Sequence, residues 1–232
     1  MNIAIILSGG VGHRMGTEVP KQYIVVDNQP VVSYCLNTFT SNHNIDMVGV
    51  VVAEEWEDFI REQVEGLNND KTVFFARPGE TRQFSIFNGL KAARQQGAKD
   101  SDVVIIHDAA RPLVSHQLID RCIEGCKHAE GVMPAIPVKD TTYFSKDGKH
   151  IHSLLERSCL WAGQAPEAFR LGKYLEAHEK MSTEELMKIV GSTELAFKAG
   201  LDCVMTEGDP MNFKITTPDD LLTFQQIISK KR

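Results

Sequence analysis

The chain has 232 residues, of which 42% are apolar and 24% charged, and 25 Lys plus Arg against 31 Asp plus Glu leave a net charge of −6. This length can bury a full core without disulfides or metals, and the composition excludes disorder along the whole chain. The acidic balance argues against general nucleic-acid binding, whose affinity comes mostly from neutralising phosphates. Five cysteines, at 35, 122, 126, 159 and 203, form no paired framework, so a reducing compartment is expected. The short apolar run at the N-terminus has no basic region ahead of it, which speaks against a signal peptide. No segment approaches the roughly 20 apolar residues of a membrane span. The expectation is a soluble cytoplasmic protein that binds neither nucleic acid nor membrane.

In chain order, Ile3–Leu7 is an unbroken apolar run that opens into a glycine-rich turn. Val48–Ala53, Val73–Phe75, Val103–Ile106 and Val132–Val138 are further runs rich in Val and Ile, the mark of strands buried on both faces of a parallel sheet. Helical patterns lie between them. Val31–Phe39 follows Pro30, read as a first helical residue. Trp56, Phe59, Ile60, Val64 and Leu67 recur at helical spacing, as do Leu118, Ile119, Cys122, Ile123 and Cys126 after a cap at Ser115. A further helix begins near Thr81. Ser182 with Glu185 forms a capping box, and Thr217-Pro218-Asp219-Asp220 opens the last helix with a cap, a proline and two carboxylates. This alternation predicts a wound α/β sheet. One segment breaks it: Thr141–Phe144, a turn containing Asp147-Gly148, and His150–Leu155 read as a β-hairpin. An isolated hairpin is marginal in water, so an arm at about 139–160 should pack on something, and a second subunit is one candidate. The expected organisation is one domain, 1–232, with this arm.

Leu7-Ser8-Gly9-Gly10-Val11-Gly12-His13-Arg14-Met15-Gly16, followed by Pro20-Lys21-Gln22, carries the strongest chemical signal. Glycines after a buried strand let backbone N–H groups approach an anion closely, and Arg14 and Lys21 add positive charge. The competing reading is a tight turn with two solvated cations. No Walker string is present, and Met15 occupies the third glycine position of a dinucleotide fingerprint. His107-Asp108-Ala109-Ala110-Arg111-Pro112 closes the Val103–Ile106 run. Ligands of open α/β sheets bind outside the carboxyl ends of strands, so Asp108 is placed to hold a Mg²⁺ or, alternatively, to cap the next turn. Cys122, Cys126 and His128 lack a fourth ligand, and the two cysteines fall on an apolar helix face, so they are read as core rather than zinc site.

These stretches, together with Val138-Lys139-Asp140-Thr141, Arg157-Ser158-Cys159-Leu160-Trp161 with Gln164 and Pro166, and Asn212-Phe213-Lys214-Ile215-Thr216, resemble the cytidylyltransferases of polyol phosphates. That family includes the 2-C-methyl-D-erythritol 4-phosphate enzymes of isoprenoid synthesis and the ribitol-5-phosphate enzymes of wall and capsule synthesis. The resemblance runs in order from Leu7 to about Leu222. It implies a Rossmann-like nucleotidyltransferase fold in which the phosphate of a polyol attacks the α-phosphorus of CTP, pyrophosphate leaves, and Mg²⁺ assists. It further implies that Arg14 and Lys21 stabilise the transition state, and that Ser8, Gly9, Gly10 and Gly12 wrap the triphosphate. Gly79, Glu80, Arg82 and Ser85 match the cytosine and ribose segment, with Ala109 beside the metal-binding Asp108. Thr141, Arg157 and Lys214 match positions that hold the polyol phosphate. In the family the arm crosses a two-fold axis, so a homodimer with shared sites is implied.

Three departures bear on the acceptor. The turn begins Leu-Ser-Gly-Gly, as in the ribitol enzymes; Ala165 stands where threonine is usual; and Gly191-Ser192-Thr193-Glu194 replaces an acidic stretch. A lost hydroxyl in a pocket that bonds substrate hydroxyls can change specificity by orders of magnitude. His107–Pro112, Val138–Thr141 and Leu160-Trp161 favour methylerythritol phosphate, the leading reading. Leu7–Gly10, Gly163-Gln164 and Lys214–Pro218 favour ribitol 5-phosphate, the alternative. A catalytically inactive nucleotide-binding homologue is the non-enzyme reading; it would bind CTP and release no pyrophosphate. A nicotinamide dehydrogenase is disfavoured by Met15 and by the missing ribose carboxylate.

Overall fold

The computed structural model describes residues 1–10, 19–67 and 70–230. Its first half runs β1 (Asn2–Leu7), a 3₁₀ turn (Lys21–Tyr23), β2 (Val25–Val26), β3 (Gln29–Pro30), α1 (Val31–Ser41), β4 (Met47–Val51), α2 (Glu54–Glu65), β5 (Thr72–Ala76), α3 (Arg82–Gln95), β6 (Val103–Asp108) and α4 (His116–Gly125). The second half runs β7 (Gly131–Pro137), β8 (Tyr143–Phe144), β9 (Ser153–Leu154), a 3₁₀ turn (Arg157–Cys159), β10 (Trp161–Gly163), β11 (Glu167–Arg170), α5 (Leu171–Lys180), α6 (Thr183–Lys188), α7 (Ser192–Lys198), β12 (Cys203–Glu207) and α8 (Pro218–Ser229).

The central strands are ordered β6-β1-β4-β5 and all parallel. Alternation sends their side chains to two separate layers. Ala4, Ile6, Val48, Val50 and Ile105 join α1, α2 and α4 on one side, while Ile3, Ile5, Val51, Val104 and Ile106 join α3, α5, α6 and α7 on the other. Both faces are therefore dry, which explains the unbroken apolar runs. From β1 the chain winds outward to β4 and β5, then returns to β6 on the opposite side of β1. That reversal opens a crevice at the carboxyl ends of β1 and β6, where doubly wound sheets bind ligands.

The edge beyond β6 is mixed. β11 runs antiparallel to β6 and to β7; β10 pairs antiparallel with β7, and β12 pairs parallel with it. Ser115 caps α4, Ser182 and Glu185 form a reciprocal capping box on α6, and Thr217 with Asp220 does the same for α8. Pro30 precedes the helix as its N-cap rather than opening it. Cys122 and Cys126 are fully buried in the core, as the apolar-face reading expects. The arm's ladder is shorter than the sequence pattern implied. Only Tyr143–Leu154 and Phe144–Ser153 pair, and Gly148 alone of its turn dipeptide takes positive φ, +69°. Among the described residues no helix is long and apolar enough to cross a membrane.

Candidate active site

Strand register assembles the site. Leu7 at the end of β1 lies beside Asp108 at the end of β6, so the glycine turn and the aspartate emerge together. On the other side of β1, β4 and β5 carry the chain to Pro78-Gly79. That loop presses on the turn so closely that a Cβ on Gly9 would lie 2.6 Å from Cβ of Pro78. Glycine is required here for close approach, not for backbone conformation.

A cavity of about 460 Å³ opens between these loops. Gly9, Gly10 and Lys21 form one wall; Gly79, Glu80, Arg82 and Ser85 form the opposite wall; Asp108, Ala109 and Lys214 form the floor. Ser8 is buried directly beneath the first wall. Ten of the residues singled out in the sequence thus line one cavity. Arg14 and Gly12 lie outside the described residues. Thr141 and Arg157 do not reach this cavity within one chain: both are exposed on the arm, where Arg157 Nη1 donates to the Lys139 carbonyl at 3.1 Å.

The turn is held from below. Gln22 Nε2 donates to the carbonyls of Ser8 (2.7 Å) and Gly10 (2.8 Å), and the Tyr23 hydroxyl donates to the Ser8 carbonyl at 2.8 Å. Tyr23 stacks on Trp56 with centroids 4.3 Å apart, which places that tryptophan in the core. The Ser8 N–H donates to the Val51 carbonyl at 2.8 Å, so the start of the turn is fixed through both its N–H and its carbonyls. On the opposite wall, the Ser85 hydroxyl accepts from the Gly79 N–H at 3.0 Å and ties that glycine to the first turn of α3.

The floor is dense in charge. Asp108 Oδ2 accepts from Lys214 Nζ at 3.0 Å and lies 3.6 Å from Arg111 Nε, while Oδ1 accepts from Arg82 Nη2 at 3.3 Å. Burial acts to raise the Asp108 pKa, but Arg82, Lys214 and Arg111 override it and hold the carboxyl well below the usual carboxylate range. Neighbouring His107 is fully buried, and burial pushes it down to about 4, so it is neutral near pH 7. Lys214 reaches the floor although its segment is neither helix nor strand. Arg111 Nη1 donates to the Asn212 carbonyl (2.7 Å), Asn212 Nδ2 donates to the Ala165 carbonyl (2.6 Å), and the Ile215 N–H donates to the Ala110 carbonyl (2.8 Å). These latches bracket the lysine on both sides.

Sequence reasoning gave no role to Arg111, Gln22 or Asn212, although each lies inside a motif it quoted, nor to Tyr23, which follows one. It also missed Glu167, whose approach to Arg82 depends on the pairing of β11 with β6. The stretch Gly191–Glu194, read as a departure bearing on the acceptor, packs behind Arg82. Arg82 Nη1 donates to the Ser192 hydroxyl and Gln83 Nε2 donates to the Gly191 carbonyl, so it backs the wall that carries Arg82.

A wound parallel sheet with a glycine turn, a floor carboxylate and several cations facing one cavity defines a nucleotidyltransferase architecture. Over residues 2–230 the sequence matches the model of the IspD family, 2-C-methyl-D-erythritol 4-phosphate cytidylyltransferase. It is 33% identical over 228 residues to a ribitol-5-phosphate cytidylyltransferase of Streptococcus agalactiae, covering 98% of this chain and 95% of the relative. It is 34% identical over 232 residues to a 2-C-methyl-D-erythritol 4-phosphate cytidylyltransferase of Clostridioides difficile, covering 100% and 95%. The crystal structure of 4-diphosphocytidyl-2C-methyl-D-erythritol synthase from Anaerococcus prevotii superposes with a TM-score of 0.82 at 25% identity, covering 98% of this chain and 96% of that one. The chain belongs to the IspD family and is a cytidylyltransferase.

Proposed function

We propose that this cavity binds CTP and that the chain transfers its CMP group to the phosphate of 2-C-methyl-D-erythritol 4-phosphate. An oxygen of the acceptor phosphate attacks the α-phosphorus in line, the bond to the β-phosphate breaks, and pyrophosphate leaves with the electron pair. No protein nucleophile is needed. Such transfers are accelerated by positioning and by stabilising the charge of the transferring group. The observation that carries this reading is the presence of Lys21, Arg82 and Lys214 around a cavity walled by glycine backbone. Two anionic reactants repel unless such cations screen them. In this reading Lys21 and Arg14 serve the α-phosphate, Gly9 and Gly10 cradle the triphosphate, and the Gly79–Ser85 wall receives the nucleoside. Asp108 holds Lys214 and Arg82 at the floor until phosphate oxygens take its place.

Mg²⁺ fits the same floor. Among the described residues no cluster of three or more His, Cys, Asp or Glu could form an all-protein cage. A single hard carboxylate beside a phosphate cavity is the donor set Mg²⁺ uses when substrate phosphates and water complete its shell. Asp108 would hold it, and the ion would supply further neutralisation of phosphate charge.

The arm supports a second part of the proposal. Tyr143, Phe144, Ile151 and Leu154 are all exposed on it. So large an apolar surface on a two-pair ladder calls for a cover. We infer that two copies pair through their arms, each delivering Thr141 and Arg157 to the other's cavity to hold the polyol phosphate.

Ribitol 5-phosphate is a second acceptor reading, favoured by the turn Leu7–Gly10, by Gly163-Gln164 and Lys214–Pro218, and by the Streptococcus agalactiae relative. Pyrophosphate release measured with CTP, UTP, ATP and GTP against methylerythritol, ribitol, xylitol, arabinitol and glycerol phosphates decides between them. The expected result is release with CTP and methylerythritol phosphate. Release only with ribitol 5-phosphate moves the acceptor, and no release with any pair removes the enzymatic reading.

A further inference from the structure

Glu167 opens β11, pairs in register with Ile106 of β6, and is only 7% exposed. A carboxylate so placed needs partners, and each oxygen has its own. Oε1 accepts from both the backbone N–H (3.0 Å) and the hydroxyl (2.8 Å) of Thr193. Oε2 accepts from Arg82 Nη2 at 3.4 Å. Thr193 lies in the first turn of α7, whose N-cap is Gly191 and so has no side chain to satisfy the free N–H groups. Glu167 supplies that acceptor from a different element. The Arg82 guanidinium is meanwhile shared between two carboxylates, Asp108 at the floor and Glu167 behind it, and also donates to Ser192.

We propose that Glu167 is a positioning residue for nucleotide binding: it holds the Arg82 guanidinium back from Asp108 and fastens that wall to the 191–193 turn. The inference rests on the cavity being the CTP site. Without Glu167, Arg82 retains one carboxylate and is drawn onto Asp108, where the two neutralise each other and the cation no longer meets the nucleotide. The sign of the effect separates this role from a simple charge effect. Removing a negative charge beside a triphosphate site should by itself tighten CTP binding, whereas loss of positioning weakens it.

The test measures CTP affinity by calorimetry and thermal melting for four proteins beside the native chain. Glu167→Gln keeps an acceptor for Thr193 but offers Arg82 no charge; CTP affinity should fall about tenfold. Thr193→Val removes a hydrogen bond to the same carboxylate without touching Arg82; it should lower the melting temperature and leave CTP affinity unchanged. Arg82→Met weakens CTP binding, and Glu167→Gln added to it should cost no further affinity, since the two act as a unit. CTP affinity that is unchanged or higher in Glu167→Gln overturns the proposal, as does an undiminished loss on the Arg82→Met background. A native chain that binds no CTP defeats the underlying reading instead, and the proposal falls with it.

Discussion

Lys214 and Arg157 are both cations assigned to the same phosphate, yet the chain treats them in opposite ways. Lys214 lies 3.0 Å from Asp108, on a segment latched at Asn212 and Ile215 to buried backbone. Arg157 is exposed, and its guanidinium donates to a carbonyl of its own arm. His107 and His178 are buried in the body, whereas His150 and His152 are exposed on the arm. The cavity floor is a hydrogen-bonded cluster within one chain that carries more positive than negative charge. The arm carries Thr141, Arg157 and the aromatic residues Tyr143 and Phe144, all exposed. In the proposed reading one chain supplies the nucleotide site and Lys214, and the neighbour's arm adds Thr141 and Arg157.

The sharpest break of this comparison comes from paired truncations. Lys21→Ala should reduce turnover by about 10²–10³-fold, the range for losing one group that stabilises transition-state charge. Arg157→Ala should also lower turnover, with no change in melting temperature, because the side chain has one exposed hydrogen bond to lose. Steady-state pyrophosphate release and a thermal melt check both. Native turnover in either variant would remove that residue from the machinery.

Gln22→Leu sharpens the floor half. The side chain is buried and holds two carbonyls of the glycine turn. Losing these two hydrogen bonds should cost about 1–3 kcal/mol in denaturant unfolding, at the usual net value per bond, and weaken CTP binding. Unaltered CTP affinity would show that the turn needs no support from below.

Acid titration probes the body alone, without touching catalysis. Burial pushes both His107 and His178 down to about 4. The unfolded chain therefore takes up protons near pH 6.5 that the folded chain refuses until about 4. Their contribution is full above 6.5 and declines below it, by about 1.4 kcal/mol per pH unit for each histidine. Asp108 differs: burial acts to raise its pKa, but three cations together override it and hold the carboxyl low, so its contribution persists throughout this window and is lost only in stronger acid. Unfolding free energy measured from pH 7 to 5 should fall along this slope, and His178→Phe should roughly halve it. A flat profile would mean these histidines are not buried neutral.

The sequence disclosed the fold where burial is two-sided. β1, β4 and β6 are unbroken Val/Ile runs because helices cover both faces. β10, all exposed, and β12, largely so, carry no such pattern and exist through pairing with β7. The site was legible at strand ends, since a glycine turn after one parallel strand and an aspartate after another must meet when the strands are neighbours. Glu167 was not legible, because nothing local tells a glutamate that an antiparallel register will bring it beneath Arg82. The contacts of Gly191 and Ser192 with α3 were not legible for the same reason. Their sequence neighbours carry no signal of α3, about 110 residues away in the chain.

The measurement that bears most directly on a site divided between two chains is complementation. Lys214→Ala and Arg157→Ala proteins are prepared separately, each with low activity, then mixed under conditions that exchange subunits. If each arm serves the neighbouring cavity, every mixed dimer regains one intact site, and the mixture should recover about a quarter of native pyrophosphate release. Recovery to that level is the predicted result. A mixture shown to exchange subunits but no more active than its parents would contradict the shared site.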